Sequence, residues 1–120
     1  MNVTRFNDAQ LIKILNYANL IEGIASDYFD VKVYSIENDL FTSKDKRSKS
    51  LYRLLIAVSE SDEFPQQSVY DIGPLLNPVI VDWVDIKDCE TNFIIEHGNP
   101  IQRKQLKLYL NTNELVVINQ

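Results

Sequence analysis

The sequence predicts an α+β domain in which a long N-terminal amphipathic helix packs on a curved, largely antiparallel sheet of about six strands. Three observations lead there. Residues 7–26 carry apolar side chains at helical spacing, residues 79–97 alternate about a tight turn, and residues 103–119 repeat the hairpin pattern. A chain of 120 residues fits a single domain, 1–120. At this length roughly two thirds of the unfolded surface can be buried without disulfide or metal support.

The helix is expected to begin at Asn7, an N-cap residue type, with Gln10 three positions on completing a capping-box-like pair. Phe6 and Leu11 occupy the hydrophobic-staple positions, and Asp8 suits the positive end of the helix dipole. Leu11, Ile14, Leu15, Tyr17, Ala18, Leu20, Ile21, Ile24 and Ala25 form a stripe at about 100° per residue, so the helix runs for about five turns. The stripe covers roughly half the circumference, which suits a helix lying in a concave sheet. Gly23 either permits close backbone approach or is merely tolerated.

Residues 29–36, FDVKVYSI, alternate as a half-buried strand. Polar and charged residues dominate 37–50, which reads as a long, mobile, basic loop. Residues 51–59, LYRLLIAVS, are short and almost continuously apolar, favouring a central strand, although their leucines and alanine would serve a helix equally well. Pro65, Gly73-Pro74 and Asn77-Pro78 mark 61–78 as irregular, with room for a helical turn between Pro65 and Ile72.

A turn at Lys87-Asp88-Cys89-Glu90 sets the register of the 79–97 hairpin. It pairs Ile86 with Thr91, Val84 with Phe93, Asp82 with Ile95 and Ile80 with His97. Val84 and Phe93 then share one face, and Trp83 and Ile94 the other. Because both faces are partly apolar, the hairpin is expected in the middle of the sheet. After a turn at Gly98-Asn99-Pro100, the 103–119 hairpin has two open registers. A two-residue turn pairs Leu110 with Leu115 and Leu108 with Val117; a three-residue turn pairs Leu108 with Val116 and Leu106 with Ile118.

Seventeen acids against twelve bases give a net charge of −5, which disfavours nucleic acid and anionic membrane as direct partners. Bases concentrate at Lys44, Lys46, Arg47, Lys49 and Arg53, and again at Arg103, Lys104 and Lys107. Acids concentrate at Glu60, Asp62 and Glu63, and along the 79–97 hairpin. The N-terminus lacks the basic start and apolar run of a signal peptide, and no apolar stretch approaches a membrane span, so a cytoplasmic location is expected. The single cysteine, Cys89, reads as a free thiol at a hairpin tip.

No catalytic set, cofactor motif or metal-ligand spacing is present. Asp82 and His97 would lie diagonally on one face, about 7 to 8 Å apart, close enough to orient an imidazole but without a nucleophile. Asp82 and Asp85 fall on opposite faces, and the tip lacks the glycine of a calcium loop. Asp88 and Glu90 would raise the pKa of Cys89 rather than activate it. The expectation is therefore a small acidic non-enzymatic binding protein, in its concrete form an immunity or inhibitor protein that neutralises a basic toxin or nuclease. Its partner-binding residues would be Asp82, Trp83, Asp85, Asp88, Glu90 and Glu96, with the acids steering a basic protein and Trp83 anchoring it. The alternative is a small-molecule-binding or enzymatic module with a pocket between helix and concave sheet, lined by Tyr17 or Trp83. A homodimer joined through edge strands is a third expectation.

Overall fold

The computed structural model describes residues 3–5, 7–41 and 51–119. Within them, one short helix precedes eight strands in two four-stranded antiparallel sheets. The helix is α1 (Ala9–Tyr17). The first sheet is a meander of β1 (Asn19–Ala25), β2 (Phe29–Glu37), β3 (Leu51–Glu60) and β4 (Gln67–Leu76), and the second a meander of β5 (Val79–Lys87), β6 (Glu90–Gly98), β7 (Arg103–Leu110) and β8 (Leu115–Asn119). A 3₁₀ turn, Asn38–Phe41, follows β2. The chain is thus mostly β, and the long helix on one curved sheet is not observed.

Helix α1 is capped by Asp8 rather than Asn7: its carboxylate accepts from the backbone N–H of Gln10 at 3.0 Å and of Leu11 at 3.1 Å. The Phe6 half of the expected staple and the basic segment 42–50 lie outside the described residues. The helix stops at Tyr17 because the next residues pair with β2 instead. Ile24 lies opposite Val31 and packs against the core, whereas Gly23 would cost a helix about 1 kcal/mol. The Ser26 hydroxyl closes the β1–β2 turn by accepting from the N–H groups of Tyr28 and Phe29.

Residues 61–78 also differ from expectation. Strand β4 pairs with β3 throughout and includes the Gly73–Pro74 cis peptide. Proline lacks an N–H and is tolerated because β4 is an edge strand, and a register shift opposite Tyr52 and Leu54 absorbs the irregularity. The strands expected at 29–36 and 51–59 form as β2 and β3, and the last four strands form the two expected hairpins. For β7 and β8 the two-residue-turn register holds, with Leu110 opposite Leu115 and Leu108 opposite Val117.

The β5–β6 register is correct only at its tip, where Lys87 faces Glu90. Irregularities between Val84 and Lys87, and again between Ile80 and Asp82, shift the pairing twice. Trp83 consequently faces Phe93, Asp82 faces Ile94 and Ile80 faces Ile95. Asp85 has a left-handed backbone, φ 53°, as suits a bulge residue. Strand β5 is an edge rather than a central strand.

The sheets share one core. Phe29, Val31, Val33, Leu54, Ile56 and Val58 of the first meet Phe93, Ile95, Leu108 and Leu110 of the second, all fully or almost fully buried. Each such side chain contributes about 2 kcal/mol on burial. Ile36 and Leu55 are buried outside that cluster, on the face where α1 and the 3₁₀ turn lie against β2 and β3. One end of the sandwich is sealed by polar contacts between sheets. The Tyr70 hydroxyl donates to the Asn111 carbonyl at 3.1 Å, and the Ser68 hydroxyl donates to the Thr112 carbonyl.

Candidate functional site

That sealed end carries a polar, open depression of about 280 Å³ lined by Glu60, Asp88, Cys89, Glu90, Asn111, Thr112 and Asn113. Three elements build it: the end of β3, the β5–β6 tip and the β7–β8 turn. Thr112, buried in that turn, places its hydroxyl 2.9 Å from Glu60 Oε2 and 3.1 Å from Gln66 Oε1. The turn is itself held by Asn111, whose Oδ1 accepts from the N–H groups of Asn113 and Glu114 at 2.8 and 2.9 Å. Glu90 is fixed by the Tyr109 hydroxyl, which in turn accepts from Asn111 Nδ2 at 3.0 Å.

Two groups register a negative field here. The Cys89 pKa is raised by burial and then by the charges of Glu60, Asp88 and Asp62. The Tyr109 pKa is raised by its hydrogen bond to Glu90, then by burial and by the charges of Glu90 and Glu114, while Asn111 opposes the shift. A thiol held protonated is a poor nucleophile. The Cys89 Sγ lies 3.6 Å from the Tyr28 carbonyl, the contact of a weak donor with an acceptor. Among the described residues, no Lys or Arg lines the depression, and no three His, Cys, Asp or Glu side chains form a metal-binding group. The depression therefore offers carboxylates and amide and hydroxyl oxygens to a cation that brings its own donors.

The residues singled out in the sequence are distributed unevenly about this site. Asp88, with φ 43°, and Glu90 line it. Asp85 is exposed on the bulge beside the tip, and Asp82 is exposed opposite Ile94. Trp83 turns inward, its ring stacked on Phe93 at 5.2 Å, with Nε1 buried and unpartnered. Glu96 stands at the far end of the hairpin, where its carboxylate meets Arg103 Nε at 3.4 Å. Asp82 and His97 do not converge, because strand alternation puts Asp82 on the face of Ile94 and His97 on the face of Ile95.

Glu60, Asn111, Thr112 and Asn113 were not among the expected site residues. Glu60 stands out in the sequence only as part of an acidic knot and 111–113 only as a turn; the contact joining them spans 52 positions.

A second depression, in contrast, is lined among the described residues by α1, including Lys13 and Tyr17. Among the described residues, no helix is long and apolar enough to cross a membrane. No protein-family model, curated protein or solved structure matches this chain.

Proposed function

We propose that the chain is a non-enzymatic binding protein whose acid-walled end receives a cationic side chain of a basic protein partner. The observation that carries this reading is the convergence of Glu60, Asp88 and Glu90 around one depression that, among the described residues, no Lys or Arg lines. Asn113 adds a polar group suited to an ammonium or guanidinium, which charge-assisted bonds to carboxylates hold most strongly. An inhibitor or immunity protein that covers the cationic cleft of a nuclease or toxin is the specific form proposed, since such a partner supplies both steering charge and an insertable Arg or Lys.

An arginine-rich peptide titrated into the isotope-labelled chain tests it. Amide shifts should localise to 60, 88–90 and 111–113, and affinity should fall as salt rises. The double variant Glu60→Gln/Asp88→Asn should weaken binding roughly tenfold or more, while Asp30→Asn leaves it unchanged. Shifts scattered over all acidic positions, or unchanged binding in the double variant, would remove the support for this site.

A further inference from the structure

Each sheet has two edges, and three of the four carry a charge opposite a core residue, a proline or a left-handed bulge residue that opposes pairing with another strand. On β1 a register irregularity lies between Leu20 and Glu22, and Glu22 stands opposite inward-facing Val33. On β4 the device is Pro74, and on β5 two irregularities with left-handed Asp85. The fourth edge, β8, reads Leu-Val-Val-Ile-Asn, with no charge, proline or glycine. Its Val116, Val117 and Ile118 are 42%, 46% and 53% exposed, and its one register irregularity lies beyond Val117.

The hydrogen-bond phase of this edge follows from its turn. Asn111 N–H donates to the Glu114 carbonyl at 3.0 Å, making that a hydrogen-bonded pair. Antiparallel ladders alternate, so Tyr109 and Val116 form the next such pair. The N–H and C=O groups of Leu115 and Val117 then point away from β7, and among the described residues no backbone bond satisfies them.

We infer that β8 is a self-association edge, on which a second copy of this chain adds its own β8 antiparallel, with the two-fold axis at Val117. Ahead of the irregularity, only a centre on an odd-numbered residue brings free groups to free groups, and of Leu115 and Val117 the latter is the middle residue of the strand. The two Val117 residues then exchange N–H···O bonds, and Val116 lies opposite the partner's Ile118 on the outer face. Two four-stranded sheets become one of eight strands.

Charge selects the second copy as occupant. Lys107 and Glu114 are both exposed and share the outer face with Tyr109 and Val116. The antiparallel arrangement brings Lys107 within about 10 Å, backbone to backbone, of the partner's Glu114, which the two long side chains can span. Symmetry makes the contact twice. A parallel arrangement would lack it.

Sedimentation velocity of the full chain across a concentration series should give a species of twice the 13.9 kDa chain mass. Val117→Pro removes the donor at the axis on an edge where proline is tolerated. It should give the chain mass alone with an unchanged circular dichroism spectrum. Glu114→Lys should weaken association roughly tenfold, and Glu114→Lys combined with Lys107→Glu should restore it. In the concentrated native chain the Val117 amide should exchange slowly, and dilution should release it. A chain that stays monomeric at all concentrations, a Val117→Pro variant that still dimerises, or a dimer whose Val117 amide exchanges freely would overturn the inference. If Val117→Pro does not fold, the charge swap and the exchange measurement decide.

Discussion

Tyr109 and Glu90 join neighbouring strands across the outer face of the second sheet, and their bond needs the tyrosine protonated. The folded Tyr109 pKa lies above its ordinary value, chiefly because Glu90 accepts from its hydroxyl. A group whose folded pKa is raised adds stability that is fully present below the unfolded pKa, about 10 for tyrosine, and lost as pH rises through the folded value. The stability difference between the native chain and Tyr109→Phe should therefore be constant from pH 7 to about 9 and shrink above about 10. Urea unfolding of both proteins between pH 7 and 11 measures it; a difference that widens at high pH would contradict the linkage. Glu90 was legible in the sequence as a tip acid, but Tyr109 was not legible as its anchor. That contact exists only because β6, which begins at Glu90, pairs with β7, a choice of neighbour that strand alternation does not encode.

At the level of elements, the sequence was clearest where one periodicity stood alone. Strand β2 and the two C-terminal hairpins have apolar residues at period two bounded by turn residues, whereas the apolar run that forms β3 would serve a helix equally well. Residues 18–25 satisfy two periodicities at once, because Ile21, Ile24 and Ala25 continue the helical stripe while Ile24 also fits a strand. Pairing with β2 resolved the ambiguity, with burial of Ile24 as its gain. In β4 the misleading signal was Gly73-Pro74, which punctuates the sequence yet sits inside an edge strand. Gly73 makes that possible: its φ is +138°, and an added Cβ would lie 2.8 Å from the Tyr52 carbonyl oxygen. Gly73→Ala should therefore destabilise the fold by about 2 kcal/mol, read as a lower urea midpoint at an unchanged slope. Wild-type stability in that variant would mean that β4 does not approach β3 as closely as its pairing requires.

Across the whole molecule, what sequence could not supply was the division of the strands into two sheets. Each hairpin is local, but the break falls at Asn77-Pro78, between two strands that look as ready to pair as any others. The bonds that hold the halves together, Tyr70 to Asn111 and Thr112 to Glu60, join distant positions. The same division leaves the net charge of −5 unevenly placed, with Glu60, Asp88 and Glu90 at one end and the Arg53–Asp71 and Arg103–Glu96 pairs elsewhere. Two salt effects then compete. Screening weakens the ion pairs, but these are partly exposed and each contributes at most about 1 kcal/mol. Screening also relieves repulsion among carboxylates that folding brings together from two separate segments. Excess negative charge should decide the sign. Raising NaCl from 10 mM to 500 mM shortens the Debye length from about 30 Å to under about 5 Å, and stability should rise by about 1 kcal/mol. The measurement is the urea midpoint at one low protein concentration, so that association does not contribute. Glu60→Gln/Asp88→Asn should lose most of the salt response, and a stability that falls with salt would show that the ion pairs outweigh the acidic end.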